Sequence, residues 1–402
     1  MNAEAKVNNS VLKESQFDQN IKEIDLALAQ FSEEDARRWD LESKIPRTVI
    51  ESLAASSLLG VTMPRELSGR EWCARSLGHL FMRLGSISLS LVSIMTVHSM
   101  VLEALRLWGT VEQKKLWIPA LVSGEILGAF GLTEPSHGSD AMNVQSRLTK
   151  LESGYSLSGH KKWISFGSGA DVLLVFGQTE QGETIACLVP TAAEGFEAKP
   201  MNNLLGFRGA MLGDITFNEC LVPDENIIGT AGGGVPYVAG GALDLGRLAI
   251  AYGCLGAMEA CTQDSVIHAR SRTQFDEPIA NHQLVQQLLS NMITSVKIAR
   301  QLCDYAARLR DEGSPHSTLE TTIAKYIAST HSVKVASDAV QVFGAAGCSA
   351  DESRVERYYR DTRITEIIEG SNQMQQMMIA RNGMSEFQRQ ARAFEKLQEA
   401  VK

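Results

Sequence analysis

Glu369 is the residue whose type and setting most clearly suggest chemistry. It follows Ile367 and Ile368 and precedes Gly370. Apolar surroundings disfavour the charged form of a carboxyl group and raise its pKa towards that of a useful general base. A glycine lets backbone and ligand approach without a Cβ between them. The segment also fits a helix that ends at Glu369 with Gly370 as its C-cap, so both interpretations stay open at this point.

Polar residues in the segment 130–140 could line a flat ligand with polar edges. Thr133 and Ser139 offer hydroxyl groups, and Gly138 keeps the backbone accessible. Further along, Trp163 and Ser165 place an aromatic plane beside another hydroxyl group. A Ser/Gly-rich turn and a tryptophan that fills the core are the structural alternatives.

Three groups in the C-terminal helical part have residue types that suit a dinucleotide or a thioester. Arg272, Gln274, His282 and Gln283 offer guanidinium and amide donors for a pyrophosphate. The glycine-rich segment 341–347 could admit a phosphate or an adenine close to its backbone. Asp244 and Arg247 lie three residues apart and could share one face of a helix, where a surface ion pair is the alternative.

The hydrophobic patterns predict the elements that must position these residues. Helical spacing dominates residues 1–124, short β-rich runs between turns fill residues 125–232, and long helices return in residues 233–385. Residues 386–402 are charged, which predicts a surface helix or a frayed tail. The helices in the last part are expected at 243–270, 282–310, 317–342, 353–367 and 371–381. The middle part reads as a small antiparallel β-domain.

Composition excludes several functional classes. A net charge of −9 argues against nucleic acid as a principal partner. The polar N-terminus and the absence of an apolar run near bilayer length predict a cytoplasmic protein without membrane insertion. The seven cysteines are scattered without a C-x-x-C pair, so no metal site is expected. A G-x-G-x-x-G turn after a strand is also missing, which disfavours a Rossmann nucleotide site.

Several short motifs together resemble the acyl-CoA dehydrogenase family of flavoproteins over nearly the whole chain. They stand in the order and spacing of that family at 133–135 (Thr-Glu-Pro), 138–140 (Gly-Ser-Asp), 163–165 (Trp-Ile-Ser), 272–275, 282–283, 341–344 and 359–361 through 369–370. The resemblance implies a mainly α fold with an inserted β-domain: an N-terminal helical domain, a middle β-barrel and a C-terminal four-helix bundle. It also implies FAD between the middle and C-terminal domains, and self-association as a dimer or tetramer.

The same resemblance assigns expected roles to individual residues. Glu369 matches the catalytic base, which takes the α-proton of a thioester while a hydride leaves for flavin N5. Asp244, Arg247, Gly370 and Ser139 match positions that approach the substrate. The residues expected to contact FAD are Phe130, Leu132, Thr133, Gly138, Ser139, Trp163, Ser165, Arg272, Gln274, Phe275, His282, Gln283, Gln341, Val342, Gly344, Gly347, Ser371 and Gln373.

A narrower resemblance concerns the substrate. Four short segments, 88–95, 303–306, 311–315 and 366–371, are similar to the branch that acts on acyl groups tethered to an acyl carrier protein. That branch includes the enzymes of hydroxymalonyl- or methoxymalonyl-type extender-unit synthesis for polyketides. The expected substrate is a small acyl carrier protein thioester. A short- or branched-chain acyl-CoA dehydrogenase, a flavin monooxygenase or N-hydroxylase, and a flavin-free scaffold protein are the alternatives. The electron acceptor stays open.

Overall fold

Helices form the N-terminal part of the chain. The structure is a computed structural model that describes residues 3–401. Capping boxes fix two of the helix starts, at Ser32 with Asp35 and at Thr110 with Gln113, because each side chain accepts a hydrogen bond from the backbone N–H of the other residue. The helices are α1 (Ala3–Leu28), α2 (Glu33–Leu41), α3 (Arg47–Ala55), α4 (Ala74–Gly85), α5 (Leu89–Trp108) and α6 (Val111–Ser123).

A twisted sheet follows these helices. Its strands are β1 (Gly128–Gly131), β2 (Arg147–Leu151), β3 (Gly154–Ile164), β4 (Val172–Gln178), β5 (Thr184–Pro190), β6 (Phe196–Pro200), β7 (Gly213–Val222) and β8 (Ile227–Ile228). They are ordered β6-β7-β3-β2-β4-β5-β8, and β1 pairs with β4 in parallel. The expectation of a purely antiparallel domain is therefore wrong at β4, which pairs in parallel with β1 and, through Gln178 and Arg147, with β2. Strand β1 enters from the helical domain alongside β4.

Long helices make up the last part. A π-helical stretch, Gly234–Ala239, leads into α7 (Gly240–Ser271). The hairpin β9 (Thr273–Gln274) and β10 (Glu277–Pro278) then precedes α8 (Gln283–Asp311), α9 (Ser317–Phe343), α10 (Val355–Thr365) and α11 (Asn372–Val401). Helices α7, α8 and α9 pack against one another, and α11 packs on α9. The order of a helical, a β and a second helical domain confirms the predicted fold class.

The last helix is longer than its sequence pattern predicts. A helix was expected only to residue 381, but α11 continues without a break through Val401. Residues 386–394 are mostly exposed, including Phe387 and Phe394. The charged segment therefore forms the surface helix of the two predicted alternatives, and it has no boundary that separates it from α11.

Two helices are apolar enough to pass for membrane spans by length and composition. They are Leu89–Trp108 and Gly234–Ser271, and 94% and 72% of their most apolar windows are buried inside the protein. This corrects the expectation that no apolar stretch approaches bilayer length. The burial instead identifies both as core helices, which need no polar face because other elements cover them.

Arginines spaced three apart along α10 fasten this helix to its surroundings. Each guanidinium meets a carboxylate on another element or within α10. The Arg360 fork holds both carboxylate oxygens of Asp40, at 3.1 and 2.7 Å, which is the bidentate geometry that makes such pairs strong. The pairs are Arg354 with Asp264 of α7, Arg357 with Glu33 of α2, and Arg360 with Asp40 of α2 and Glu356 of α10.

Asp361 connects α10 to the middle domain. Its Oδ1 accepts a hydrogen bond of 2.7 Å from the backbone N–H of Phe207. The side chain is fully buried, and this burial raises the pKa of Asp361 to about 6. Helix α10 is thus attached to the N-terminal domain through arginine and to the middle domain through aspartate, and it carries the segment that follows it into a fixed position.

The buried ion pair of Arg360 should matter for stability. Arg360→Met removes the bidentate partner of the buried Asp40 carboxylate and leaves it only Arg208 at 3.9 Å in the described chain, so the free energy of unfolding should fall by about 3 kcal/mol. Arg363→Met is the matched control, because Arg363 is half exposed and its one ion pair among the described residues is with Glu366 three residues away. Its loss should be below about 1 kcal/mol. Urea denaturation measures both, and equal losses would contradict the ranking.

Candidate active site

Glu369 lies in the short connection between α10 and α11. Helix α10 ends at Thr365, four residues before Glu369, so the alternative that Glu369 ends a helix is wrong. Both Glu369 (φ 54°) and Gly370 (φ 85°) adopt left-handed backbone conformations. Such a conformation is uncommon for a residue with a side chain and costs of order 1 kcal/mol or more, so the surrounding structure must hold it.

Several donors from other helices hold this turn. Arg247 Nε of α7 donates to the Glu369 carbonyl oxygen at 3.2 Å, and Gln375 Nε2 of α11 donates to the same oxygen at 3.0 Å. Gln375 Nε2 also reaches the Gly370 carbonyl oxygen at 2.9 Å, where Lys325 Nζ of α9 donates at 2.9 Å as well. The turn is therefore fixed by three helices of the C-terminal domain.

The Glu369 carboxyl group points into the protein. The residue is half-buried, but its Oε2 is fully buried and has no hydrogen-bond partner among the residues that the structure describes. Burial raises the pKa of Glu369 to about 7, against the opposing effect of the positive charges of Arg247 and Lys325. A carboxyl group with this pKa is close to half ionised at neutral pH, which suits a general base.

Gly246 of α7 makes the room for this carboxyl group. A Cβ added at Gly246 would lie 2.4 Å from Glu369 Oε2 and 2.9 Å from Met100 Sδ. The carboxyl group is therefore in contact with the backbone of α7, next to a side chain of α5. The backbone N–H of Glu369 has no acceptor within residues 3–401 and remains available to a ligand.

A cluster of charges lies close to this position along α5 and α7. Glu103 follows Met100 by one helical turn, and Asp244 precedes Gly246 by two residues. Arg310 of α8 connects them, because its guanidinium bonds Glu103 Oε1 at 3.1 Å and also Asp244 Oδ2. Asp244 Oδ1 is buried and has no partner in the described chain.

The contacts of Asp244 and Arg247 differ from a simple helix-surface ion pair. Asp244 pairs with Arg310, and Arg247 bonds the Glu369 carbonyl group. The sequence pattern missed Arg310 because it lies 66 residues from Asp244. Glu103 was missed for the same reason, although a single carboxylate in the apolar run of α5 is a usable signal.

The loop after β1 is anchored by a buried ion pair. Lys161 Nζ bonds Glu134 Oε1 at 2.7 Å, and these side chains are 0% and 3% exposed. Glu134 also accepts hydrogen bonds from Ser146 and from the backbone N–H of Gln145. Because Glu134 lies beside Thr133, this network fixes the segment expected to border the flavin.

The other predicted residues of the middle domain surround the same region. Phe130 and Leu132 are buried, and the Phe130 ring lies 5.0 Å from that of Phe176. Ser165 Oγ accepts a hydrogen bond of 2.9 Å from Ser93 of α5. Trp163 is 52% exposed and has a left-handed backbone with φ 62°, so one indole face is open to a ligand.

The remaining predicted residues form a second group at the ends of α7 and α9. His282 contacts the Phe275 ring edge-on at 5.9 Å, and Phe275 is 90% exposed. His268, close to the end of α7, stacks on Phe343 of α9 at 4.2 Å. This stack brings the hairpin near the segment that contains Gln341, Val342, Gly344 and Gly347, while Arg272, Gln274 and Gln283 lie in or beside the hairpin.

Ser371 and Gln373 are placed directly after the turn. Ser371 Oγ accepts from the backbone N–H of Met374 at 3.4 Å, so it contributes to the start of α11. Gln373 is exposed. No hydrogen bond or ring contact within the described chain connects the middle-domain group to the hairpin group.

The residues expected to hold FAD have side chains that suit this cofactor. Trp163 and Phe275 expose aromatic faces that other side chains do not cover fully. Hydroxyl and guanidinium donors accompany them in Thr133, Ser165 and Arg272. A flat ring system needs such faces, and a diphosphate needs such donors.

Comparisons with known proteins agree with this arrangement. The chain matches the acyl-CoA dehydrogenase N-terminal domain over residues 20–125, the middle domain over 129–220 and the C-terminal domain over 232–384. It is 34% identical to an acryloyl-CoA reductase (NADH) of Anaerotignum propionicum, and the match covers 87% of this chain and 89% of the relative. It is 32% identical to the mitochondrial very long-chain specific acyl-CoA dehydrogenase of Bos taurus over 93% of this chain, and it spans 59% of that relative's length.

Among solved structures, the chain is similar to FkbI, which is described as serving biosynthesis of the methoxymalonyl extender unit of the polyketide Fk520. The identity is 30% and the TM-score is 0.83, with 91% of this chain and 99% of FkbI covered.

The space at Gly246 should be essential for the position of the carboxyl group. Gly246→Ala places a methyl group where Glu369 Oε2 lies, so thioester oxidation should slow by about 10²-fold, the effect of a misplacement of about 1 Å. Gly240→Ala at the start of the same helix is the control, because its added Cβ comes no closer than 3.9 Å to another atom. Steady-state rates at saturating substrate measure both variants. Equal activity of the two variants would show that the Glu369 carboxyl group does not need the space beside Gly246.

Proposed function

Because the chain belongs to the acyl-CoA dehydrogenase family, we propose that it oxidises a small acyl thioester tethered to an acyl carrier protein, with Glu369 as the general base. Members of the family are FAD-dependent oxidoreductases that act on acyl thioesters. The observation that carries the proposal for the base is the buried Glu369 carboxyl group, whose Oε2 has no partner in the described chain.

Glu369 has the properties that proton abstraction from a thioester requires. The carboxylate accepts the α-proton, and its pKa of about 7 lets it take up and release that proton near neutral pH. The contact with Gly246 and Met100 limits where the carboxyl group can move. A base held in one position contributes to the rate because the reacting atoms need little further ordering.

The proton becomes acidic only when the charge that develops on the thioester oxygen is stabilised. The backbone N–H of Glu369 has no acceptor in the described chain and can donate to that oxygen. Arg247 and Gln375 hold the carbonyl group of the same residue, which restricts rotation of the turn. The base and this donor therefore belong to one rigid unit.

FAD, when bound, accepts the hydride that leaves the substrate. Thr133, Trp163 and Ser165 of the middle domain would border its ring system, and the hairpin with Arg272 would bind the diphosphate end. The Glu134–Lys161 pair keeps the first of these segments in place. We further propose a dimer or a larger assembly, since Phe275 is 90% exposed beside the expected diphosphate site.

A polar acyl group suits the surroundings of the base. Glu103 lies one helical turn after Met100, and Asp244 lies two residues before Gly246. Arg310 bonds both carboxylates, so a long hydrocarbon chain here would meet charged groups that are largely shielded from water. Asp244 Oδ1 lacks a donor in the described chain and can accept a hydrogen bond from a hydroxyl group. The similarity to FkbI, which serves biosynthesis of a methoxymalonyl extender unit, supports a small extender-unit acyl group as the substrate. Relatives that are isobutyryl-CoA, isovaleryl-CoA and short-chain specific acyl-CoA dehydrogenases favour a short- or branched-chain acyl-CoA dehydrogenase as the second candidate.

The role of Glu369 predicts a defined response to mutation and pH. Glu369→Gln should lower kcat by about 10² to 10⁴-fold, because an amide cannot accept the proton. FAD content should stay unchanged. In the wild-type protein, kcat/KM should rise with pH through about 7 as the carboxyl group loses its proton. Stopped-flow flavin reduction from about pH 5.5 to about pH 9, a range that brackets the transition, measures both effects. A Glu369→Gln variant that keeps wild-type turnover would exclude Glu369 as the base.

The carrier assignment needs matched substrates. The same small hydroxyacyl group should be offered as a CoA thioester and as an acyl carrier protein thioester, with a butyryl group on each as the control. The carrier-bound hydroxyacyl group should show a kcat/KM at least about tenfold higher than its CoA form, equivalent to about 1.4 kcal/mol of transition-state binding. Flavin bleaching gives the rate, and mass spectrometry of the carrier identifies the product. Faster reaction of the CoA thioesters would favour the second candidate.

A further inference from the structure

Lys325 is a buried lysine in the middle of α9. Its side chain is 0% exposed, and no carboxylate lies within ion-pair distance of its Nζ in the part of the chain that the structure describes. A buried ammonium group without a carboxylate loses its hydration, and no ion pair compensates for the cost in free energy. Burial accordingly lowers the pKa of Lys325 to about 8.

The hydrogen bonds of Lys325 go to the residues directly after Glu369. Its Nζ donates to the Gly370 carbonyl oxygen at 2.9 Å and to Asn372 Oδ1 at 3.2 Å. Asn372 Oδ1 is held in addition by Ser329 of α9 at 2.9 Å. One side chain of α9 thus fastens both the end of the left-handed turn and the first residue of α11.

The Gly370 carbonyl group needs such a donor. Glu369 and Gly370 are both left-handed, and a strained turn persists only when its surroundings hold it. Gln375 shares its amide between the Glu369 and Gly370 carbonyl groups. Lys325 is the charged donor at Gly370, and hydrogen bonds from charged donors are roughly twice as strong as neutral ones.

The charge of Lys325 also acts on the carboxyl group. Arg247 of α7 and Lys325 of α9 are the cations that favour the ionised form of Glu369. The neighbouring elements contribute Asp244 from α7, Glu366 from the end of α10, Gln375 from α11 and Met100 from α5. Arg247 also lies near Asp244, and the negative charge of Asp244 offsets the positive charge of Arg247. Lys325, in contrast, has no carboxylate at bonding distance among the described residues.

We propose that Lys325 is a positioning residue for the base: its ammonium group holds the Glu369–Gly370 turn through the Gly370 carbonyl oxygen and favours the ionised carboxylate. This inference rests on the proposed role of Glu369. Lys325 bonds the Gly370 carbonyl oxygen and Asn372, which lies between the expected FAD residues Ser371 and Gln373, and it acts on the Glu369 carboxyl group through this turn. A lysine flanked by apolar and small residues in α9 is the sequence signal that could have identified it.

The test replaces Lys325 by methionine, which keeps the length of the side chain and removes its charge and donor. Lys325→Met should lower kcat at pH 7 by about 10-fold or more with KM little changed. The rising limb of the kcat/KM profile should move up by about one pH unit or more, because an opposite charge nearby favours the ionised carboxyl group. Lys334→Met on the exposed side of the same helix is the matched control and should keep the wild-type profile.

Lys325→Gln provides a second variant if the methionine variant does not fold, as judged by FAD content and thermal melting. The amide can still donate to Gly370 but carries no charge. The rising limb of the kcat/KM profile should therefore again shift to higher pH, while kcat should fall less than in Lys325→Met. An unmoved limb in either folded variant overturns the role of Lys325. Glu369→Gln separates the role of Glu369 as base from the role of Lys325. If Glu369→Gln retains turnover, the assignment of the base fails. If Glu369→Gln is inactive but the rising limb does not move in the Lys325 variants, only the role of Lys325 is contradicted.

Discussion

The site depends on keeping one carboxyl group out of water without giving it a partner. Oε2 of Glu369 is buried against Gly246, and such a group is stable only if its neutral form is accessible or if positive charge is near. The protein meets both conditions, since burial raises the pKa of Glu369 to about 7 while Arg247 and Lys325 oppose the rise. A carboxylate in a complete salt bridge would stay ionised but would be less free to accept a proton. Within the described chain Oε2 has no such partner, which is compatible with the role proposed for Glu369.

The position of this carboxyl group is set by contacts from all parts of the chain. Helix α10, which leads into the turn, is attached to α2 through Arg360 and Asp40 and to the middle domain through Asp361. The turn itself is held by side chains of α7, α9 and α11. Because the restraints come from several elements, a strained backbone at Glu369 can persist without a long regular element around it. The same rigidity keeps the free N–H of Glu369 beside its carboxyl group.

Sequence patterns were most reliable for the long elements and least reliable for the short ones. The runs of helical period gave α7, α8 and α9 to within a few residues. Strands such as β1, β2 and β6 have only four or five residues, which carry too little alternation to differ from a loop in the sequence. The parallel pairing of β1 with β4 follows from where the chain enters the sheet, which no local pattern encodes. The end of α11 was misplaced because charged residues favour an exposed helix and a frayed tail equally.

The sequence by itself determined the order of the domains, because hydrophobic period is a local property. It indicated the proposed base through the resemblance of the segment 359–370 to the acyl-CoA dehydrogenase family, since the apolar neighbours of Glu369 alone left two interpretations open. Only the tertiary structure decided which charges surround that base. Arg310 meets Asp244 across 66 residues, and Lys325 reaches Gly370 across 45. Coulombic and hydrogen-bond energies depend on distances between atoms in space. The order of residues along a chain does not specify those distances until the helices have packed.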